Sequence, residues 1–374
     1  MNALIKRFLV TLLLLTLMNV QVQPAEAAKG VPGSPEFGMG VSIHPDGPLV
    51  DDSLNLLGDL QPDWLYVPVS WTAVQPAGEA EPDLAVLDKV LAAALERQIA
   101  VTISLTQVPG WAQTDDGPNV ELTAKFVAAL AQRYPQVLQA FELFPRANTL
   151  AGWGSAPNPR AYLALVRAVQ DRLKADGSLV VLVAAGLQPL GKSIEQIDPA
   201  LEMDDLVFLQ GLYDAGGRER LQLISLQYAD TSADLMASPF DVEVMIFRHY
   251  EMVRANMLSN QHSDGMIWIT RFGLPSGAYD QKKVNSDDLA QQESWLQQAY
   301  YQAHAQLYIG AAVLQDLNPG AVNASDGMAS MLLPDGSRHP FYQQLRQMML
   351  ENNPGDGAAR PGSSKKGNLL KHRS

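Results

Sequence analysis

The chain contains no cysteine, which excludes a disulfide scaffold, zinc ribbons, iron–sulfur clusters and a thiol nucleophile. It is also short of positive charge, with 27 Lys and Arg against 40 Asp and Glu and a formal net charge of −13. A nucleic-acid binder needs a basic face to replace counterions along the phosphates, so nucleic acid is not an expected partner. No G-x-G-x-x-G follows an apolar run, which weakens a dinucleotide-binding reading. His44, His249, His262 and His304 show no HxxxH or HxH spacing, so neither a metal nor another cofactor is expected. What remains is a chain of 374 residues, 47% hydrophobic, long enough for one large α/β barrel or two average domains.

The first residues read as an export signal. Lys6 and Arg7 precede an apolar run from Phe8 to Met18, and Ala25-Glu26-Ala27 offers small residues where signal peptidase inspects. The run fits the ~7–15 residues of a signal peptide and falls short of the ~20 that cross a bilayer. Residues 1–27 are therefore expected to leave after export to the periplasm or the exterior, with cleavage after Ala27 and no membrane span in what remains. An uncleaved signal anchor is the alternative. Residues 28–36, with Pro32-Gly33-Ser34-Pro35, read as a linker, and 37–352 as a single domain. From 353 to 374 a Gly-, Pro- and Ser-rich stretch ends in Lys365-Lys366, Lys371, His372 and Arg373, the composition of a disordered basic tail. Asn323-Ala324-Ser325 is a glycosylation sequon.

Between these ends, strand-like and helix-like segments alternate. Strands are predicted at 37–43, 64–71, 99–105, 137–144, 179–185, 221–228, 266–272 and 306–314. Helices are predicted at 83–97, 122–133, 159–175, 241–259, 287–305 and 339–350, from apolar residues at helical spacing such as Leu84, Leu87, Val90, Leu91 and Leu95. Strands apolar on both faces imply a parallel sheet covered by helices. Eight such units in one domain predict an α/β fold of the (β/α)8 TIM-barrel type, whose function sits at the C-terminal strand ends. Those ends carry His44, Ser70 and Trp71, the Pro109-Gly110-Trp111 turn, Arg146 and Asn148, Gly186, Gln227 and Tyr228, Arg271, and Gln315 with Asp316.

Several segments, in order, resemble the clan A glycoside hydrolases, the retaining β-glycosidase barrels of cellulase and xylosidase type. Val69-Ser70-Trp71-Thr72-Ala73-Val74-Gln75-Pro76 is similar to that group's second-strand pattern, and Val108-Pro109-Gly110-Trp111-Ala112 to its third-strand turn. Phe141-Glu142-Leu143-Phe144-Pro145-Arg146-Ala147-Asn148 resembles E-I-W-N-E-P-N, with Gly152-Trp153-Gly154 following. Ile267-Trp268-Ile269-Thr270-Arg271-Phe272-Gly273 resembles W-I-T-E-F-G, and His339-Pro340-Phe341-Tyr342 the turn into the last helix. The resemblance implies a general acid/base at position 146 and a nucleophile at 271. This chain has arginine at both, Tyr66 at the position of the second-strand arginine, and Leu226-Gln227-Tyr228 in place of a histidine–proline–tyrosine end. A guanidinium neither releases a proton at neutral pH nor attacks carbon, whereas a retaining mechanism needs two carboxyls ~5 Å apart.

The expectation is an exported glycosidase-like barrel without its catalytic glutamates, a pseudoenzyme binding a glycan or an anionic small ligand. Ligand-binding candidates are Trp71, Trp111, Arg146, Asn148, Trp153, Gln227, Tyr228 and Arg271, with Trp268 better placed in the core. Arginine forks suit planar oxyanions; pairing of each arginine with Glu142, Asp214, Asp230 or Asp316 is the competing reading. Two other readings stay open. One is a hydrolase using displaced carboxylates, with Glu142, Asp214 and Asp316 as the acids in range; the other is an exported scaffold for a protein partner.

Overall fold

The computed structural model describes residues 28–34, 36–78, 80–228, 247–273, 286–320 and 330–353. The expected leader (1–27), the residues beyond Asn353, the sequon at Asn323, Asp230 and the start of the helix predicted from Asp241 lie outside them. The elements run β1 (Gly38–Ser42), α1 (Val50–Leu60), β2 (Trp64–Ser70), α2 (Ala85–Glu96), β3 (Ala100–Thr106), α3 (Val120–Arg133), β4 (Leu138–Leu143) and α4 (Pro159–Ala175). Then come β5 (Val181–Leu187), α5 (Asp205–Asp214), β6 (Leu223–Gln227), α6 (Tyr250–Ser259), β7 (Met266–Gly273), α7 (Ser286–His304), β8 (Ile309–Gln315) and α8 (Tyr342–Asn352). The strands are parallel and close in the order β1-β8-β7-β6-β5-β4-β3-β2. The expected (β/α)8 barrel is the fold observed.

Local chemistry starts the helices where they start. Asn119 accepts from the Leu122 N–H, Asn158 from Ala161 with Pro159 in the first turn, and Asp204 from Leu206 and Val207, so each caps otherwise unpaired amides. Helices α1 and α5 were absent from the sequence-based set. Leu54, Leu57 and Leu60 of α1, and Phe208, Leu209 and Leu212 of α5, nonetheless pack into the core.

The barrel's base is closed by aromatic rings. Trp64, at the start of β2, and Trp268, the third residue of β7, face inward edge to face at 4.7 Å, clustered with Ala140, Val183, Leu223 and Ala311. Glycines make the room: a Cβ on Gly38 would stand 2.7 Å from the Trp64 ring, and one on Gly310 2.9 Å from Trp268 Nε1. The stretch from 28 to 36 is not the linker its composition suggested. It folds beneath the rings, where Lys29 and Gly30 carbonyls accept from Trp64 Nε1 (2.8 Å) and Trp268 Nε1 (2.6 Å) and Val31 joins the base cluster. Without those carbonyls the two buried indole donors would go unmet. Lys29 also meets Asp63 at 3.0 Å and Asn352 O at 3.3 Å, tying the first described residues to the last helix.

Two outcomes follow. Gly30 has φ +76°, and a Cβ there would lie 2.2 Å from Gly310 O; Gly30→Ala is expected to dislodge the segment and cost about 2–4 kcal/mol in chemical unfolding. His339, buried at the turn into α8, accepts the Phe341 N–H at Nδ1 (3.1 Å), and burial lowers its pKa to about 4. An unfolded histidine titrates near 6.5. Between those values the unfolded chain binds the extra proton, so stability falls as pH drops through that window. His339→Gln should flatten the melting temperature's pH dependence there.

Candidate functional site

Above the base lies a polar layer built around Glu142. On β4, Glu142 is fully buried. Its Oε2 accepts from the Tyr66 hydroxyl, from Ser104 Oγ at 2.8 Å and from Gln227 Nε2 at 3.3 Å. Its Oε1 accepts from Ser225 Oγ at 2.6 Å and Thr270 Oγ1 at 2.8 Å. Four hydroxyls and an amide, from β2, β3, β6 and β7, thus converge on one carboxylate, and among the described residues no lysine or arginine bonds it. Hydrogen bonds to the charged form can hold a buried anion without a counter-ion. Burial and then the negative charge of Glu142 raise the Tyr66 phenol well above its ordinary range, so Tyr66 stays a donor. Ser225 Oγ also accepts the Gly186 N–H at 2.9 Å. Glu142 is therefore enclosed by side chains of four other strands.

At the mouth, the chain after β4 turns sharply. Phe144 and Arg146 take φ of 47° and 63°, Ala185 and Gly186 of 77° and 48°, and the Arg146 N–H donates to Gly186 O at 2.7 Å. Left-handed geometry at non-glycine residues costs of order 1–3 kcal/mol each, and clusters of it gather at functional sites. On β7, Thr270 faces inward to Glu142, whereas Phe272 packs on Phe247 at 6.1 Å. A register shift falls between them. Arg271 sits at that irregularity, 8% exposed. Strands β4 and β7 stand three places apart around the barrel, so the two arginine positions lie on opposite sides of its mouth.

The other candidates divide. Trp71 is buried, stacked on Phe126 at 4.8 Å, its Nε1 donating to Gln75. Trp153 is buried with Nε1 on Asp116 O at 2.9 Å. Asn148 is buried and spends its amide on Gln188 and Met203. Tyr228 lies outside the barrel wall, its hydroxyl on Phe247 O at 2.8 Å. All four are buried and hydrogen-bonded within the fold. Trp111 is half-buried, its Nε1 on Gln75 O at 3.2 Å. Gln227 belongs to the Glu142 layer, with Nε2 3.0 Å from the Tyr66 hydroxyl. Asp214 is exposed at the C-terminal end of α5 and bonded to Gln210; helix C-termini lie at the base, so it is no mouth acid. Glu142 is held by the polar layer, Asp214 bonds Gln210, and Asp316 pairs with His44.

Reasoning from sequence missed one pair at the mouth. His44, just beyond β1, places Nε2 3.1 Å from Asp316 Oδ2, just beyond β8. Asn318 locks both ends of the arrangement, accepting the His44 N–H and donating to its carbonyl, each at 2.9 Å. Leu317 N–H donates to Ser42 O and Met331 N–H to Asp316 O. Sequence separation hid the pair. The hydroxyl layer did leave a signal, since β2, β4 and β7 carry Tyr66, Glu142 and Thr270 as polar residues within largely apolar strands.

No protein-family model matches the chain, and no curated protein does. Solved structures do. A family 39 glycoside hydrolase from Bacteroides cellulosilyticus is similar at TM-score 0.58 and 17% identity over 85% of this chain, which spans 64% of that one. A conserved exported protein from Bacteroides fragilis is similar at 0.59 and 11%, over 83% of this chain and 75% of that one. A β-glucosidase from Exiguobacterium marinum is similar at 0.54 and 10%, over 85% and 98%. The fold is that of the glycoside hydrolase barrels. Among the described residues, no helix is long and apolar enough to cross a membrane.

The caged carboxylate gives a direct expectation. Tyr66→Phe removes a donor to a buried charge and should cost about 1.5–3 kcal/mol in denaturant unfolding. Glu142→Gln, which turns an amide N–H₂ against hydroxyl donors, should cost more.

Proposed function

We propose that the chain is an exported barrel of glycosidase type that binds an acidic glycan, or another anionic ligand, at its mouth without cleaving it. One observation carries this reading. The two strand ends where a retaining barrel would hold its carboxyls hold Arg146 and Arg271, and the nearest strand-four acid, Glu142, is walled into the interior by five donors. Cations at those positions would oppose an oxocarbenium-like transition state and favour a carboxylate or sulfate, which a guanidinium fork meets with two hydrogen bonds. The solved structures named above support the glycosidase-type barrel and leave the ligand to experiment.

Of the three acids Glu142, Asp214 and Asp316, a hydrolytic reading rests on Asp316, which is paired with His44 at the mouth, because Glu142 is enclosed and Asp214 lies at the base.

Calorimetric titration with neutral and uronate-containing oligosaccharides separates these readings. Binding of the acidic series should weaken about tenfold to a hundredfold in Arg271→Ala and in Arg146→Ala, the loss of a charge-assisted contact. No aryl glycoside should turn over. Turnover abolished by Asp316→Asn, or acidic binding indifferent to both arginine changes, would reject the proposal.

A further inference from the structure

We infer, on the reading of Arg271 as an anion-binding group, that His249 and Asp205 form a proton-operated latch positioning Arg271 at the mouth. Helix N-termini share the mouth side of such a barrel with the C-terminal strand ends, and the latch joins two of them. Asp205, in the first turn of α5, is 1% exposed. His249 ends the short turn that leads into α6, and its Nε2 lies 2.7 Å from Asp205 Oδ2. A carboxylate so buried needs a charged or donating partner. Arg248, beside His249 in the chain, is engaged elsewhere, with Nε and Nη2 on the Glu251 carboxylate at 2.6 and 2.8 Å.

The latch reaches Arg271 through Phe247, two residues before His249. The Phe247 carbonyl accepts from the Tyr228 hydroxyl at 2.8 Å, and the Tyr228 N–H donates to Arg271 O at 3.0 Å. The Phe247 ring packs on Tyr228 at 5.5 Å and on Phe272, the residue after Arg271, at 6.1 Å. A shift of the turn that carries Phe247 and His249 is therefore passed to the end of β7, where the strand already departs from regular register. His249 and Asp205 touch no ligand site themselves; they are positioning residues.

The groups around His249 set the sign of the effect. Burial disfavours the imidazolium, but the charge of Asp205, its hydrogen bond and the charge of Asp204 outweigh burial and raise the His249 pKa. Asp204 is itself raised, by burial and then by the charge of Asp205. From β6 and α6, the Tyr228 and Tyr250 phenols are pushed up by burial, as is Tyr308, packed on Tyr250 at 6.3 Å. Those phenols stay neutral while His249 titrates, and Arg248 and Glu251 offset each other. The protonated pair therefore stabilises the fold fully below about pH 6.5, where an unfolded histidine titrates. That contribution is lost as pH rises through the higher folded value, the reverse of the sense at His339.

The test is an NMR titration of the full exported chain between about pH 6 and 9, read at the His249 ring and the Arg271 Nε–H, each assigned through its backbone. His249 should titrate above about 6.5, and the Arg271 signal should shift with the same midpoint. His249→Gln should abolish that Arg271 shift, and Asp205→Asn should lower both midpoints. Calorimetric affinity for uronate oligosaccharides should fall about threefold to tenfold as pH rises through the midpoint, a step that His249→Gln removes. An Arg271 signal indifferent to the His249 titration would overturn the inference and leave the pair a staple between two helices. So would a His249 midpoint at or below about 6.5. Both signals are read in the unaltered chain, so a misfolded variant does not shield the inference. They need no ligand either, so failure of acidic glycans to bind rejects the function proposed above and leaves the two signals to judge the latch.

Discussion

One carboxylate organises the inside of this barrel. Glu142 gathers side chains from four other strands, and each donor is a neutral group whose remaining polar atoms need partners of their own. Ser225 answers the amide of Gly186 while it serves Glu142, linking the acid to the turn that bears Arg146. Thr270 ties it to the residue next to Arg271. A buried charge satisfied by hydrogen bonds alone tolerates little rearrangement, because each missing donor leaves desolvated charge behind. The cage thereby fixes the strand register beneath both arginines.

That arrangement gives the substitutions at the mouth a common electrostatic sense. In the hydrolases this chain resembles, an arginine on the second strand steadies an acid on the seventh. Here Tyr66 is neutral and serves Glu142, while the seventh strand carries the cation. The carboxylate of the polar layer, Glu142, is fully buried, and Arg271 on the seventh strand lies one residue from a donor to it, Thr270.

How much of this was legible without coordinates depended on range. Helix α4 was predicted to the residue, because Asn158-Pro159 opens it and Asp176-Gly177 ends it, signals contained in a few neighbouring positions. The (β/α)8 rhythm and the core placement of Trp268 followed from periodicity. Helices α1 and α5 escaped, since the glycines and short polar residues among their leucines dilute the pattern that packing later enforces. The site was harder. Trp153, Asn148 and Tyr228 follow strand ends where function is usual, yet their partners are backbone groups 19 to 55 residues away. The His44–Asp316 pair is likewise a product of closure between the first and last strands. Residues 28–36 read as a spacer because glycine and proline mark both spacers and tight turns beneath a core.

The seam at the base bears on the timing of folding. Lys29 finds its partners 323 and 324 residues later, and the carbonyls that seal the two indoles belong to the same few residues. A chain emerging from a ribosome or a translocation pore with its N-terminus leading cannot complete this closure until nearly all of it has emerged. The barrel's first residues wait for its last. Until then the segment around Lys29 and Gly30 stays unlocked.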